Sequence, residues 1–198
     1  MKYQLLLLSL IGTALGANLL ETRPSQAEPA PVFQPIIQDI RDRLSTDFQM
    51  RLPAALPEFT KSLDLYAFVA DDEMQVVNIK GQDVFSVIVS DLPNCEQSDD
   101  PEDCIVGVIS VTEALSDSAL TPEDLPDNRQ DLTPITLAEG AEGFYFTQNE
   151  EIQLVIWEQD NLGYLLMTEQ CDDECVSKQQ MIEMAQSAAL QPPIYSLD

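Results

Sequence analysis

Between Phe144 and Met167 three short runs rich in β-branched and aromatic residues follow one another with almost nothing in between. Phe144 to Phe146, Ile152 to Trp157 and Tyr164 to Met167 read as strands, and the polar stretches Gln148-Asn149-Glu150 and Gln159-Asp160-Asn161 read as the hairpin turns that join them. Turns that short connect antiparallel neighbours, so the last third of the chain is expected to form an antiparallel meander. Whatever precedes it must build onto that sheet or cover it.

Upstream, the same period of two recurs. Leu63 to Ala70 and Met74 to Ile79 are candidate strands, Val84 to Ser90 alternates Phe85, Val87 and Val89 against Val84, Ser86 and Ile88, and Ile105 to Val111 continues the pattern. Helical spacing appears twice. Ile36, Ile37, Ile40, Leu44 and Phe48 mark an amphipathic helix that opens at Pro35, a favoured first-turn residue, and ends before Pro53. Near the C-terminus, Ser177 with Gln180 forms a capping box, Val176 and Met181 can staple it, and Met181, Ile182, Ala185, Ala188 and Ala189 supply an apolar face. The stretch from about 113 to 134 is polar and contains Pro122 and Pro126, so it reads as a long acidic surface loop. Too little chain remains beyond it for a second core. The fold class expected is α+β: a mostly antiparallel sheet of about six or seven strands, packed on one face by an N-terminal and a C-terminal helix.

The first 27 residues have the layout of a secretory signal: Lys2, an apolar run from Leu5 to Leu20, and Ser25-Gln26-Ala27 with small residues three and one before a cut. The run is short for a spanning helix, which uses about 17 to 25 residues. Cleavage after Ala27 would leave a Pro-rich leader, 28–34, and a single domain, 35–198, with no cysteine at the cut to carry a lipid and no stable membrane anchor. The expected location is the periplasm or the extracellular space, or a lumen in a photosynthetic source. The full chain carries 35 acidic and 9 basic residues, a formal charge of −26. Removing 1–27 takes Lys2, Arg23 and Glu21, which leaves 34 acidic against 7 basic groups and a charge of −27. Such a field repels phosphates, so nucleic acid and anionic lipid surfaces are set aside as partners.

Four cysteines in an exported chain point to two disulfides, and the local pairing, Cys95 with Cys104 and Cys171 with Cys175, suits the element map. The first would close the hairpin between two strands. The second would fix the turn from the last strand into the capped helix. Zinc would want closer cysteine pairs or histidine, and the chain has no histidine. A redox pair is disfavoured because Asp172-Asp173-Glu174 would raise the thiol pKa.

The lack of histidine also removes the usual nucleophilic triads, and no pair of carboxylates stands out for glycoside hydrolysis, so the chain is not expected to be an enzyme and no cofactor is expected. Acidic turns such as Asp99-Asp100-Pro101-Glu102-Asp103 and 117–131 could take calcium, but neither has the spacing of a helix-loop-helix calcium site, and solvated surface charge accounts for both, as it does for Asp71-Asp72-Glu73. Trp157, which alternates with Val155, is expected in the core. Gly140-Ala141-Glu142-Gly143 lacks the helix and lysine of a phosphate loop.

Ile135-Thr136-Leu137, Gly143-Phe144-Tyr145, Leu154 to Glu158, Gly163-Tyr164 and the helix from Ser177 to Ser187, with Met50-Arg51-Leu52-Pro53 and Leu56-Pro57 upstream, resemble a domain of unknown function in exported bacterial proteins. That domain is distantly similar to the curved sheets of periplasmic lipoprotein carriers and envelope-stress regulators. The resemblance covers about 60 residues well, and its motifs mark positions in a fold rather than chemistry. It implies a sensory or partner-binding module, though the cysteines and acidity are not part of its pattern. The function expected is therefore a non-catalytic exported partner-binding or accessory domain of the bacterial envelope. The alternatives are a periplasmic carrier of a small apolar ligand or lipid, and a calcium-dependent acidic accessory protein.

Overall fold

A computed structural model of the chain describes residues 28–57, 64–71, 83–98, 101–115, 120–149, 152–169 and 176–197. In chain order the elements are α1 (Ile37–Arg43), β1 (Gln49–Met50), β2 (Tyr66–Val69), β3 (Val84–Ser90), β4 (Ile105–Glu113), β5 (Arg129–Thr136), β6 (Glu142–Gln148), β7 (Ile152–Gln159), β8 (Leu162–Glu169), α2 (Lys178–Leu190) and β9 (Ile194–Tyr195). Seven of the strands form one antiparallel sheet in the order β2-β3-β4-β8-β7-β6-β5, and β1 pairs with β9 in a small second sheet. The fold is α+β, with one helix before the sheet and one after it.

The meander from β6 to β8 forms as its turns demand. Asp160 and Asn161 both take left-handed backbone angles, φ 57° and 61°, the geometry of a two-residue hairpin turn, and Asp and Asn tolerate it better than other side-chain-bearing residues. Alternation then sorts the strands into two faces. On one face Val87, Val89, Ile109, Val111, Tyr145, Val155, Trp157, Tyr164 and Leu166 pack against Phe33 and Ile40 from the N-terminal segment and Met181, Met184, Ala185, Ala188 and Ala189 from α2. The alanines let α2 lie close to the sheet, and the stacked rings of Trp157 and Tyr164, 5.2 Å apart and 13° from parallel, fill the space beside them. Gly143 stands opposite Trp157 in the β6–β7 register, where a Cβ would lie 2.7 Å from the Trp157 Cβ and 2.3 Å from the Ile156 carbonyl. The capping box opens α2 as expected: Ser177 Oγ accepts from the Gln180 amide, and the Gln180 side chain accepts from the Ser177 amide at 2.8 Å.

Three expectations are corrected. The helix expected from Pro35 to before Pro53 is shorter: a 3-10 turn over Pro31–Ile36 leads into α1, which ends at Leu44, where the backbone becomes extended. Ser45, Thr46 and Asp47 form a turn instead, closed by the Phe48 amide on the Ser45 carbonyl, and that turn still buries Leu44 and Phe48. The Pro-rich leader contributes to the fold from its middle onward, since Ala30 and Phe33 are buried and the Ala30 amide donates to the Pro53 carbonyl. The acidic loop over 113–134 contains β5 from Arg129, one of the two edge strands of the described sheet. Leu125, with Leu115, Leu120 and Leu132, packs on Phe146, Leu154, Ile156 and Leu165 and so covers the second face of the sheet. A polar stretch with a leucine every few residues serves as a lid on apolar strands. The candidate strand Met74 to Ile79 and the signal-like residues 1–27 lie outside the described residues.

Candidate functional site

The end of the molecule where α2 stops is built around one arginine. Arg51 follows β1 directly, between Met50 and Leu52, both fully buried, so its side chain enters the interior and is itself only 7 % exposed. Its guanidinium meets the carbonyls that α2 leaves unpaired: Nη1 donates to the Ala189 carbonyl at 3.2 Å and also to the Gln191 carbonyl. The last four carbonyls of a helix have no intrahelical partner and carry its negative pole, so a cation there meets both needs. The counter-charge is Asp160, whose Oδ2 accepts from Arg51 Nη2 at 2.7 Å while the carboxylate stays about half exposed. The left-handed turn between β7 and β8 holds it in place. Gln159, next to it, donates to the same Ala189 carbonyl at 3.2 Å.

Tyr164 completes the node. Its hydroxyl donates to the Gln49 carbonyl at 3.0 Å, and burial pushes its pKa up to about 12 against the opposing pull of Arg51. Tyr145, at the other end of α2, is also raised by burial and by the charge of Asp131. There its hydroxyl donates to Gln153 Oε1, Gln153 Nε2 donates to the Val176 carbonyl, and the Lys178 ammonium sits 4.7 Å above the Tyr145 ring and donates to Thr133. A lysine in the first turn of a helix opposes the dipole, and the ring and hydroxyl offset that. Both nodes pin α2 to the sheet. Neither sets a nucleophile beside a base, and their chemistry is that of hydrogen bonding.

Beyond α2 the chain runs back along β1 as a strap: Gln191 and Ile194 turn inward, while Tyr195, 59 % exposed, and Leu197, 62 %, face outward, as does Leu190, 64 %, at the end of α2. Pairing of Tyr195 with Gln49 and the Leu197 amide on the Arg41 carbonyl hold the strap in place. Inside the fold, an apolar recess lined by Leu56, Val89, Ile109, Leu166 and Met184 has a volume of about 10 Å³, room for about one water molecule.

Of the cysteines singled out from the sequence, Cys95 and Cys104 are joined, with Cα atoms 5.8 Å apart, and the bond closes the β3–β4 connection through two short 3-10 turns. Cys171 and Cys175 lie outside the described residues, as do Asp99, Asp100 and Asp117 of the acidic turns. Among the described residues no three His, Cys, Asp or Glu side chains are grouped to hold a metal ion. Trp157 is fully buried in the core. Gly140, at φ 81°, ends a 3-10 turn that leads into β6 rather than into a helix. Sequence reasoning placed Met50-Arg51-Leu52-Pro53 as a fold marker and missed the role of Arg51; the available signal was a lone arginine between two large apolar residues in a chain with few cations. Among the described residues no helix is long and apolar enough to cross a membrane. No protein-family model matches the chain, and neither does any curated protein or solved structure.

Proposed function

We propose that the chain is a non-catalytic exported domain of the bacterial envelope that binds a protein partner on its C-terminal strap. The observation that carries this reading is the pair of large, outward-facing side chains on the strap, Tyr195 and Leu197, with Leu190 exposed at the end of α2 before it, in a chain whose formal charge is −26. Large apolar side chains left exposed on a strongly charged surface mark candidate contact sites, and tyrosine combines apolar area with a polar tip. The acidity favours a basic partner and speeds its encounter. Among the described residues the recess under α2, about 10 Å³, is far smaller than the about 300–1,000 Å³ of a site for an apolar ligand and gives carriage no support. The signal-like residues 1–27 and the Cys95–Cys104 bond support export.

The test uses a variant with Tyr195→Asp and Leu197→Asp, which leaves the buried Ile194 untouched. A partner captured on the immobilised wild-type protein, then purified and titrated, is expected to bind the double variant at least about tenfold more weakly, with the unfolding midpoint unchanged. Equal binding to both proteins would sink the strap as the docking surface. A lipid found in one-to-one amount by native mass spectrometry would replace this reading with the carrier.

A further inference from the structure

Four polar atoms around the α2 C-terminus are buried and have no hydrogen-bond partner within the protein: Arg51 Nε, Trp157 Nε1, Gln159 Oε1 and Gln191 Oε1. They belong to one neighbourhood. Arg51 and Gln159 converge on the Ala189 carbonyl, Arg51 also reaches the Gln191 carbonyl, and Trp157 lies two residues before Gln159 on the same face of β7, stacked on the Tyr164 that sits beside Arg51. Trp157, Gln191 and Arg51 are each more than nine-tenths buried. Orphaned groups in such number cost a large fraction of a domain's net stability, and native interiors satisfy them with protein or with ordered solvent.

We infer that this node is a built internal water site, in which one or two bound water molecules bridge Arg51 and Trp157 to Gln159 and Gln191. The donor and acceptor count identifies the ligand. Two of the orphans are N–H donors and two are carbonyl oxygens, and water, which both donates and accepts twice, matches that set. An inorganic anion would satisfy only the donors and would face the two amide oxygens and the Asp160 carboxylate. A metal cation would face the guanidinium and the indole N–H. The bridge joins the residue after β1, β7 and the first residue after α2, so it ties the root of the strap to the sheet.

The deciding measurement is a crystal structure of the oxidised protein at about 1.5 Å or better, where ordered solvent and amide orientation are read from density and hydrogen bonding. The expected result is a water oxygen within hydrogen-bonding distance, about 2.7–3.2 Å, of Gln191 Oε1 and of at least one of the two donors. Direct bonds among the four atoms after rotation of either amide, or density for an ion or an organic molecule, would overturn the inference. In solution, water-proton relaxation dispersion on the wild type and on Gln191→Met should show at least one fewer long-lived water in the variant. An equal count in two folded proteins would overturn it as well.

Discussion

Replacing Arg51 by methionine removes the cation and keeps most of the apolar stem, which makes it the sharpest probe of how the C-terminal end is held. The change deletes the donors to the Gln191 and Ala189 carbonyls and the 2.7 Å contact to Asp160. Ala189 keeps Gln159 as a donor, so the Gln191 carbonyl is the main new orphan, at about 1–3 kcal/mol. Loss of a cation at a helix C-terminus adds about 0.3–1 kcal/mol. Asp160 is half exposed and regains water, so the ion pair itself adds little beyond that. The expected destabilisation is about 2–4 kcal/mol. Asp160→Asn keeps a residue suited to φ 57° but, unlike Arg51→Met, leaves the buried guanidinium without its counter-charge, for an expected loss of about 1 kcal/mol. Combined with Arg51→Met it should cost almost nothing further, because its partner is already gone. Urea unfolding followed through Trp157, the single tryptophan of the chain, measures all three variants. A loss below about 0.5 kcal/mol for Arg51→Met, or two single effects that simply add, would refute the node as described.

Alkaline pH tests the buried tyrosines. Tyr164 is raised from 10.0 to about 12, so the folded state holds its proton longer than the unfolded chain; its contribution is complete below pH 10 and is lost as the pH climbs toward 12, at about 2–3 kcal/mol. Tyrosinate absorbance should show Tyr145 and Tyr164 ionising at higher pH in the native than in the urea-unfolded protein, and superimposable native and unfolded titrations would contradict this. Reducing the Cys95–Cys104 bond, or replacing both cysteines by serine, opens a short loop and is expected to cost about 2–3 kcal/mol in urea unfolding. Gly143→Ala forces a methyl group against the Ile156 carbonyl and the Trp157 Cβ and should destabilise by about 2–3 kcal/mol with a change in near-ultraviolet circular dichroism from the displaced indole; an unchanged midpoint would show that β6 moves aside freely.

The elements that were legible in advance are those whose signal is local. The meander reads directly from short apolar runs and the Asp160-Asn161 turn, and α2 reads from its capping box, because in both cases residues adjacent in sequence meet in space. The Cys95–Cys104 link was legible for the same reason. What escaped depends on distant partners. β5 carries Pro134 and charged residues and looks like loop; it is a strand because β6 offers an edge, with a register shift between Gln130 and Thr133 absorbing the mismatch. β1 and β9 are two residues each and exist only as each other's partner. Arg51 takes its role from Ala189 and Gln191, far along the chain, and nothing near residue 51 announces them. The strap was invisible for the opposite reason, since exposure of Tyr195 and Leu197 is a property of the finished surface.

The strand order also sets a schedule for folding. β2, β3 and β4 make one set of neighbours and β5 to β8 another, and only the β4–β8 ladder joins them, pairing Val108 with Met167 and Glu113 with Leu162. Until β8 is available, β4 presents an unpaired edge rich in Val108, Ile109 and Val111, the kind of edge on which chains pair with one another. The intervening segment that later supplies Leu120 and Leu125 carries Glu123, Asp124, Asp127 and Asp131 along with them. Charge placed beside such an edge discourages association between chains during the slow search for a non-local partner. The same stretch thus sets charge beside the strand edges and apolar side chains over the finished sheet's second face.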